Sequence, residues 1–179
     1  MEFHRIVNKY GEAYGPMMEV FVASFPECER RPLDWFDWLL ENEPRFHCVV
    51  YGRGDALLCY WELESAGAPF AYVEYLAVNP KIRGKGVGTK VMNEFLKLMK
   101  GVPVLLEVEL PVCQQTKRRV AFYERLGLTL IPDYYVQPSY GVMPGPEMKL
   151  MVSIREEEGI VTVADMADVV RKEVYVRKM

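Results

Sequence analysis

A glycine-rich segment with two basic residues is the first place where this sequence could do chemistry. Residues 83–88 read Arg-Gly-Lys-Gly-Val-Gly, and apolar residues at positions 92, 95, 96 and 99 then follow the spacing of an amphipathic helix. The first N–H groups of a helix have no partners within it and carry partial positive charge, so they bind anions. Arg83 and Lys85 add full charges beside them, which suits a ligand with more than one phosphate.

Two common nucleotide-binding patterns do not match this segment. The P-loop pattern is a glycine, four free positions, Gly-Lys and then Ser or Thr. In this chain Asn79 stands where the first glycine should be, and Thr89 comes before Lys90 instead of after a Gly-Lys pair. The dinucleotide pattern requires a third glycine, and Val91 occupies its position. The sequence therefore indicates a phosphate ligand of another kind.

The segment resembles the acetyl-CoA pyrophosphate loop of the GCN5-related N-acetyltransferase (GNAT) superfamily. That loop has the pattern Arg/Gln-x-x-Gly-x-Gly/Ala directly after a strand. Arg83, Gly86 and Gly88 match it, and residues 72–78 have the β-branched and aromatic content of a buried strand, with Glu74 as their sole carboxylate.

A second block, residues 121–128, is similar to another signature of the family. The block reads Ala-Phe-Tyr-Glu-Arg-Leu-Gly-Leu, and the signature is roughly A-x-x-Y-x-x-x-G-F, whose tyrosine lies close to the thioester sulfur. Tyr123 takes that position. The chain departs from the family where many members carry an asparagine that contacts the pantetheine arm, since Thr116 stands there.

The resemblance implies an α/β (α+β) fold. Its sheet is mixed and mostly antiparallel, with about six to seven strands, helices on both faces and a splayed pair of central strands. The residue patterns agree with that order of elements. We predict strands at residues 3–7, 46–53, 56–64, 72–78, 104–110, 128–136 and 147–154. We predict helices at 10–25, 32–41, 117–126 and from Thr162 onward, and a further helix after the glycine segment whose apolar stripe runs from Met92 to Met99.

The predicted domain boundary lies near the C-terminus. Residues 1–154 form the acetyltransferase domain, and residues 155–179 form an extension with one amphipathic helix. Thr162 and Asp165 are spaced as a capping box at the start of that helix. The extension packs either on its own domain or on a partner subunit, in which case the protein is a homodimer.

The family implies an N-acetyltransferase in which a primary amine attacks acetyl-CoA directly within a ternary complex. The acceptor is a small amine, an amino sugar, an amino acid or a peptide amine. The alternative is a domain that binds acyl-CoA without turnover, as a sensor or scaffold. The residues that the resemblance assigns to the cofactor are Leu76, Ala77, Val78, Arg83, Gly84, Lys85, Gly86, Val87, Gly88 and Thr89.

The catalytic groups that the resemblance implies are Glu74 and Tyr123. Glu74 would act through water as the base, because an amine with a pKa of about 10 is protonated at neutral pH. Tyr123 would be the acid for the leaving thiolate. The structural alternatives are a glutamate on an exposed or helix-capped patch of strand and one more aromatic residue of the core.

Candidate contacts to the acceptor come from the second half of the chain. Glu107 and Glu109 share one face of a predicted strand and would form an anionic pocket for a cationic acceptor, unless that face is solvated or paired with Arg118 and Arg119. Residues 137–146, which include Tyr140, are rich in proline and glycine and form either a lid or a passive connection.

Composition and cysteine spacing exclude several other classes of protein. The chain has 179 residues, a net charge of −3 and no apolar run long enough to span a bilayer, so neither nucleic acid nor membrane is a predicted partner. The four cysteines and two histidines lack metal-ligand spacing, so no metal is predicted. We expect reduced thiols in a cytoplasmic protein, with Cys48 and Cys59 opposite each other if Arg53-Gly54 is a hairpin turn.

Overall fold

The computed structural model describes residues 3–141, 145–153 and 161–176, apart from the side chain of Cys28. Its helices and strands are, in chain order, β1 (Phe3–Ile6), α1 (Tyr14–Ser24), α2 (Leu33–Asn42), β2 (Phe46–Tyr51), β3 (Ala56–Ser65), β4 (Ala68–Val78), α3 (Val87–Leu98), β5 (Val104–Glu109), α4 (Gln114–Glu124), β6 (Thr129–Leu130), β7 (Tyr135–Val136), β8 (Glu147–Val152) and α5 (Val163–Glu173). The predicted opening order of one strand, two helices and three strands is confirmed.

The described chain divides into two compact units, with boundaries inside β3 and β4. Unit 1 comprises residues 3–61 and 73–97. Unit 2 comprises residues 62–72, 98–141, 145–153 and 161–176. The predicted domain boundary at 154/155 falls among residues 154–160, outside the described chain, and stays a prediction.

Unit 1 is built around aromatic side chains. Its strands follow the order β1-β2-β3-β4, and the first two pairs are antiparallel. Phe21 of α1 lies 4.8 Å from Phe36 of α2 and meets Tyr75 of β4 edge-on at 4.9 Å between ring centroids. Phe46 of β2 packs at 5.2 Å on Trp61, its partner on β3. These rings fix both helices on the strand that leads into the glycine segment.

The hairpin of β2 and β3 has the register that the sequence predicts. Cys48 stands opposite Cys59, both side chains are fully buried, and both are free thiols. We call this pair the hairpin cysteines. The pairing ends at Tyr51 and Ala56, so the connection has four residues, 52–55, and not two. The register is still the predicted one, because the predicted two-residue loop at 53–54 and the observed four-residue loop at 52–55 have the same midpoint.

Unit 2 is organised around β5 and β8, which pair in antiparallel register from Leu105 opposite Val152 to Glu109 opposite Met148. β6 and β7 both pair with β8, again antiparallel. The sequence predicts one strand over residues 128–136, but the structure breaks it into these two short strands. Pro132 lies in the break, where it has no N–H to donate to a ladder.

The predicted fold class is confirmed: the architecture is mixed α/β, and the sheet is mostly antiparallel. The described residues form eight strands, because the break at Pro132 adds one to the seven predicted. Ala71 of β4 donates its N–H to the Pro103 carbonyl at 2.8 Å, at the entrance to β5. The splay of the central strands stays a prediction.

The helix of the C-terminal extension, α5, begins with the predicted capping box. The Thr162 hydroxyl accepts the N–H of Asp165, and the Asp165 carboxylate accepts the N–H of Thr162, each at 3.2 Å. The apolar stripe Met166, Ala167 and Val170 is buried. The helix is therefore fixed at its start by its own cap and along one side by burial.

Candidate active site

The glycine segment forms an exposed corner at the start of α3. Gly84 and Gly86 have φ of +80° and +76°, in the region that favours glycine. A Cβ placed on either residue would meet no other atom within 4 Å, so the space beside the corner is open. The Gly86 carbonyl accepts the N–H of Lys90 at 3.0 Å, which makes Gly86 the last residue before the helix.

Three amides follow in the first turn of this helix, at Val87, Gly88 and Thr89, where helix geometry provides no internal acceptor. Arg83 and Lys85 are exposed beside them. The Arg83 Nε donates to the Val78 carbonyl at 3.1 Å, so its guanidinium lies at the end of β4. Open space, free helix amides and two cations form a site that fits phosphate groups.

Asn79 fixes the corner to the hairpin connection. Its side-chain oxygen accepts the N–H of Lys81 at 3.1 Å and caps the short 3-10 helix Pro80–Ile82. Its backbone N–H donates to the Asp55 carbonyl at 2.9 Å, and its Nδ2 to the Gly54 carbonyl at 3.3 Å. The position of the corner therefore depends on residues 52–55.

The strand before the corner alternates between buried and half-buried residues. Glu74, Leu76 and Val78 are half-buried, and they alternate with buried Tyr75 and Ala77. The side chain of Glu74 is only 1% exposed, so the accessible area of this residue belongs mainly to its main chain. Leu76 and Val78, which the resemblance assigns to the cofactor, are therefore not fully buried, and the Val78 carbonyl accepts the Arg83 Nε.

The Glu74 carboxylate lies in a buried ion pair. Its Oε1 accepts the Arg31 Nε at 2.8 Å, and Arg31 is fully buried. Its Oε2 accepts the indole N–H of Trp61 at 2.5 Å. Glu74 is therefore neither on an exposed patch nor at a helix cap, and its role as the base stays a prediction.

Tyr123 is a buried residue of α4 in unit 2, with 8% of its surface exposed. Burial raises the pKa of its hydroxyl to about 12, and Arg119 lowers it in part. The phenol therefore keeps its proton at neutral pH, as a proton donor must. Within the described residues its hydroxyl makes no side-chain hydrogen bond, and its carbonyl closes the helix by accepting the N–H of Leu126 and Leu128.

The helix α4 begins three residues before the predicted start, at Gln114 instead of Lys117. The reason is a cap that we did not predict: the Thr116 hydroxyl accepts the N–H of Cys113 and donates to the Cys113 carbonyl, both at 3.1 Å. Thr116 holds the position of the family's asparagine. Its hydroxyl hydrogen-bonds to the backbone of Cys113 at the start of the helix.

Glu107 of β5 accepts hydrogen bonds from neutral side chains. Its donors are the hydroxyls of Tyr72, Tyr135 and Tyr175 and the side-chain amide of Gln137. Burial raises the pKa of its carboxyl, although each of these hydrogen bonds lowers it. We call these five residues the Glu107 cluster. Three of the donors point at Oε2 and one points at Oε1. The predicted role of Glu107 in acceptor binding stays a prediction.

Glu109 and Tyr140 also have partners in unit 2. Glu109 pairs with Arg119, and both side chains are more than two-fifths exposed, so the pair stabilises little. This is the pairing that we gave as the alternative to an acceptor pocket. Tyr140 stacks on Tyr175 at 4.7 Å between centroids. Residues 142–144 of the predicted lid lie outside the described residues.

Comparison with known proteins identifies the family. The model of the acetyltransferase (GNAT) family matches residues 6–128, which include the glycine corner, Glu74 and Tyr123. The chain belongs to the GNAT family. A solved GNAT-family structure from Bacteroides thetaiotaomicron is 30% identical, covers 98% of this chain and 96% of its own, and has a TM-score of 0.81.

A more distantly related solved structure has the same fold. Arabidopsis thaliana NAA60, solved in complex with acetyl-CoA, has a TM-score of 0.62 at 15% identity and covers 84% of this chain and 96% of its own. An uncharacterised N-acetyltransferase of Methanocaldococcus jannaschii is 30% identical over 98 residues, which is 52% of this chain and 43% of that protein. The chain thus spans less than half the length of the curated relatives it matches.

Sequence reasoning missed the partners of the two glutamates in this GNAT chain. Arg31 and Trp61 hold Glu74 from 43 and 13 residues away, and Tyr175 reaches Glu107 from 68 residues away. A basic residue before a proline and a tryptophan in a strand are common features, so no local signal singled them out. Across the described ranges, no helix is long and apolar enough to cross a membrane, and no group of His, Cys, Asp and Glu is arranged to hold a metal.

Proposed function

We propose that this protein transfers an acetyl group from acetyl-CoA to a primary amine, by direct attack within a ternary complex. The observation that carries the proposal is the open glycine corner at the start of α3, which follows β4 in a chain of the GNAT family. Acetyl-CoA, when bound, supplies the acetyl group as an activated thioester.

The residues of unit 1 bind the cofactor in this proposal. The amides of Val87, Gly88 and Thr89, with Arg83 and Lys85, hold the phosphates. Gly84 and Gly86 have positive φ, and the space beside each of them is open. The main chain at Leu76, Ala77 and Val78 pairs with the amides of the pantetheine arm.

Glu74 and Tyr123 move the protons. Glu74 accepts, through a water molecule, the proton that the acceptor ammonium must lose before its nitrogen becomes a nucleophile. Tyr123 holds a proton on its hydroxyl for the departing sulfur, which its raised pKa of about 12 supports. Alignment of the two reactants supplies the remaining acceleration.

The proposed acceptor is a primary amine. Small amines, amino sugars, amino acids and peptide amines are the candidate classes, with Glu107, Glu109 and Tyr140 as the proposed contacts and residues 137–146 as a proposed lid. We also propose a cytoplasmic location, supported by the free hairpin cysteines. A homodimer formed through the C-terminal extension is a further proposal.

A second candidate function is an acyl-CoA sensor without turnover. One observation favours it: the Glu74 side chain is only 1% exposed and is ion-paired with Arg31, which restricts its access to a proton. The phosphate corner would be the same in both cases.

Release of CoA thiol, measured over a broad panel of amines, tests the enzymatic function. We expect release with at least one class of amine, together with protection against thermal unfolding by acetyl-CoA. Ligand at ~100 times its Kd should add about 2.7 kcal/mol of stability. Firm protection with no release from any amine supports the sensor, and no protection overturns both functions.

A further inference from the structure

We propose that Asn79 and Gly54 are positioning residues for acetyl-CoA: they hold the glycine corner in the conformation that binds the phosphates. Neither is among the residues that the proposed function assigns to the cofactor. Both belong to unit 1, as does the corner itself. The inference rests on the proposed binding of acetyl-CoA at the corner, and it does not depend on turnover.

All four polar groups of Asn79 are hydrogen-bonded, and they serve two segments of the chain. On the side of the corner, its carbonyl accepts the N–H of Ile82 at 3.0 Å and its side-chain oxygen accepts the N–H of Lys81 at 3.1 Å. On the side of the hairpin connection, its N–H donates to the Asp55 carbonyl at 2.9 Å and its Nδ2 to the Gly54 carbonyl at 3.3 Å. Asn79 therefore links the hairpin connection to the turn that leads into the corner.

The corner needs such a link because its glycines leave the backbone free to adopt other conformations. Gly84 and Gly86 both have positive φ, which glycine adopts about as readily as negative φ. The Arg83 Nε donates to the Val78 carbonyl at 3.1 Å, so this cation is placed by the residue directly before Asn79. A change at Asn79 is therefore expected to loosen both the cation and the glycines that follow it.

Gly54 fixes the other end of the link by packing on α1. Its φ of +92° lies in the region that favours glycine, and a Cβ there would lie 3.0 Å from the Cβ of Pro16 and 3.3 Å from the Pro16 carbonyl oxygen. Carbon atoms attract each other best at roughly 3.5–4.0 Å, so the added Cβ is too close. The hairpin connection thus contacts the first turn of α1 closely, and a larger residue at position 54 would push it away.

The size of the effect follows from the hydrogen bonds that a substitution removes. A single hydrogen bond of ordinary net strength changes an equilibrium constant about fivefold. When only a fraction of the protein has the binding conformation, the apparent Kd rises by the inverse of that fraction. Loss of the Asn79 side chain removes its bonds to Lys81 and Gly54, so acetyl-CoA should bind about fivefold more weakly or worse.

Asn79→Ala is the decisive variant, because the residue is only half-buried and the variant keeps both backbone hydrogen bonds. We expect the Kd for acetyl-CoA, measured by isothermal titration calorimetry, to rise by the factor just given. Asn42→Ala is the matched control and should keep the parent's Kd: Asn42 also donates its Nδ2 to a backbone carbonyl, that of Trp38 at 2.9 Å, but in α2. Asn79→Ser keeps a capping oxygen and loses the amide, so its Kd should still exceed the parent's; a parent-like value contradicts the role of the amide.

Gly54→Ala tests the link from its other end. The new methyl group should displace the Gly54 and Asp55 carbonyls that accept from Asn79, and thereby raise the Kd for acetyl-CoA. Gly67→Ala is its control, since Gly67 has φ of +82°, has open space beside it and lies between β3 and β4. This control should suffer similar strain and keep the parent's Kd. If Gly54→Ala does not fold, the Asn79 variants decide the outcome.

The titrations separate failure of the inference from failure of the proposed function. A purely structural role predicts that Asn79→Ala loses thermal stability but keeps the parent's Kd well below its Tm, and that result overturns the inference while the function survives. If the parent binds no acetyl-CoA, the inference and the function fail together. If the Kd values change as expected but the parent releases no CoA with any amine, the enzymatic function fails and the inference stands.

Discussion

Gly86→Ala tests whether the corner before α3 binds phosphate or only reverses the chain. Gly86 has φ of +76°, and an added Cβ would meet no atom of the protein within 4 Å. The substitution therefore costs backbone strain and no steric clash. A left-handed conformation costs an L-residue roughly 1–2 kcal/mol, which for a chain of this size lowers Tm by about 2–4 °C per kcal/mol.

Gly67 supplies a matched control. It has φ of +82°, it also has open space beside it, and it lies in the turn between β3 and β4. Gly67→Ala should therefore cost the same strain without touching a ligand. In Gly86→Ala the new methyl group occupies space that the proposed phosphate needs, and the loss of one charge-assisted hydrogen bond, about 1.5 kcal/mol, weakens acetyl-CoA binding about tenfold.

Thermal unfolding with and without acetyl-CoA measures both effects. At a ligand concentration ~100 times the parent's Kd, the ligand adds about 2.7 kcal/mol to the parent and to Gly67→Ala. A tenfold weaker Gly86→Ala gains only about 1.4 kcal/mol at the same concentration. If the two glycine variants lose equal Tm and gain equal protection from acetyl-CoA, the phosphate role of the corner is refuted.

Three further predictions concern Tyr123, the Glu107 cluster and the cysteines. Tyr123→Phe should lower kcat for CoA release about 100-fold or more, and by a similar factor at every pH below about 10. The reason is that a pKa of about 12 keeps the parent hydroxyl protonated over that range. A loss of kcat that varies with pH below about 10 contradicts the donor role. Tyr175→Phe should lower the free energy of unfolding in urea by about 1–3 kcal/mol, since Glu107 loses a donor. The control is Tyr134→Phe at a residue that is 75% exposed, which should change the free energy of unfolding by less than about 0.5 kcal/mol. Equal effects of the two substitutions would argue against the Glu107 cluster. Brief alkylation of the native protein should label exposed Cys113 before either hairpin cysteine, as peptide mass mapping would report, and the reverse order would contradict their burial.

The parts of this protein that the sequence predicted are those that depend on neighbouring residues. The corner at Gly86, the capping box at Thr162 and the register of the hairpin cysteines each follow from local rules about helix starts and strand pairing. The order of the helices and strands follows from the periodic spacing of the apolar residues. These features need no knowledge of the rest of the chain.

The sequence could not predict which distant side chains meet. Periodicity places Glu74 in a strand, but its pairing with Arg31 depends on how the segment between α1 and α2 packs on β4. The same holds for Tyr175, which reaches Glu107 from the last described residues of the chain. Two local errors have chemical causes: Pro132 interrupts a ladder, and Thr116 starts a helix early.

The Glu107 cluster sets a limit on how far this protein can be shortened. The match to the GNAT family ends at residue 128, yet Tyr135, Gln137 and Tyr175 all lie beyond it. A fragment cut to the matched residues would keep Glu107 and remove these three of its four donors. The remaining carboxylate would have to bind water or take up a proton. A shortened version for expression, fusion or grafting should therefore retain the chain through Tyr175.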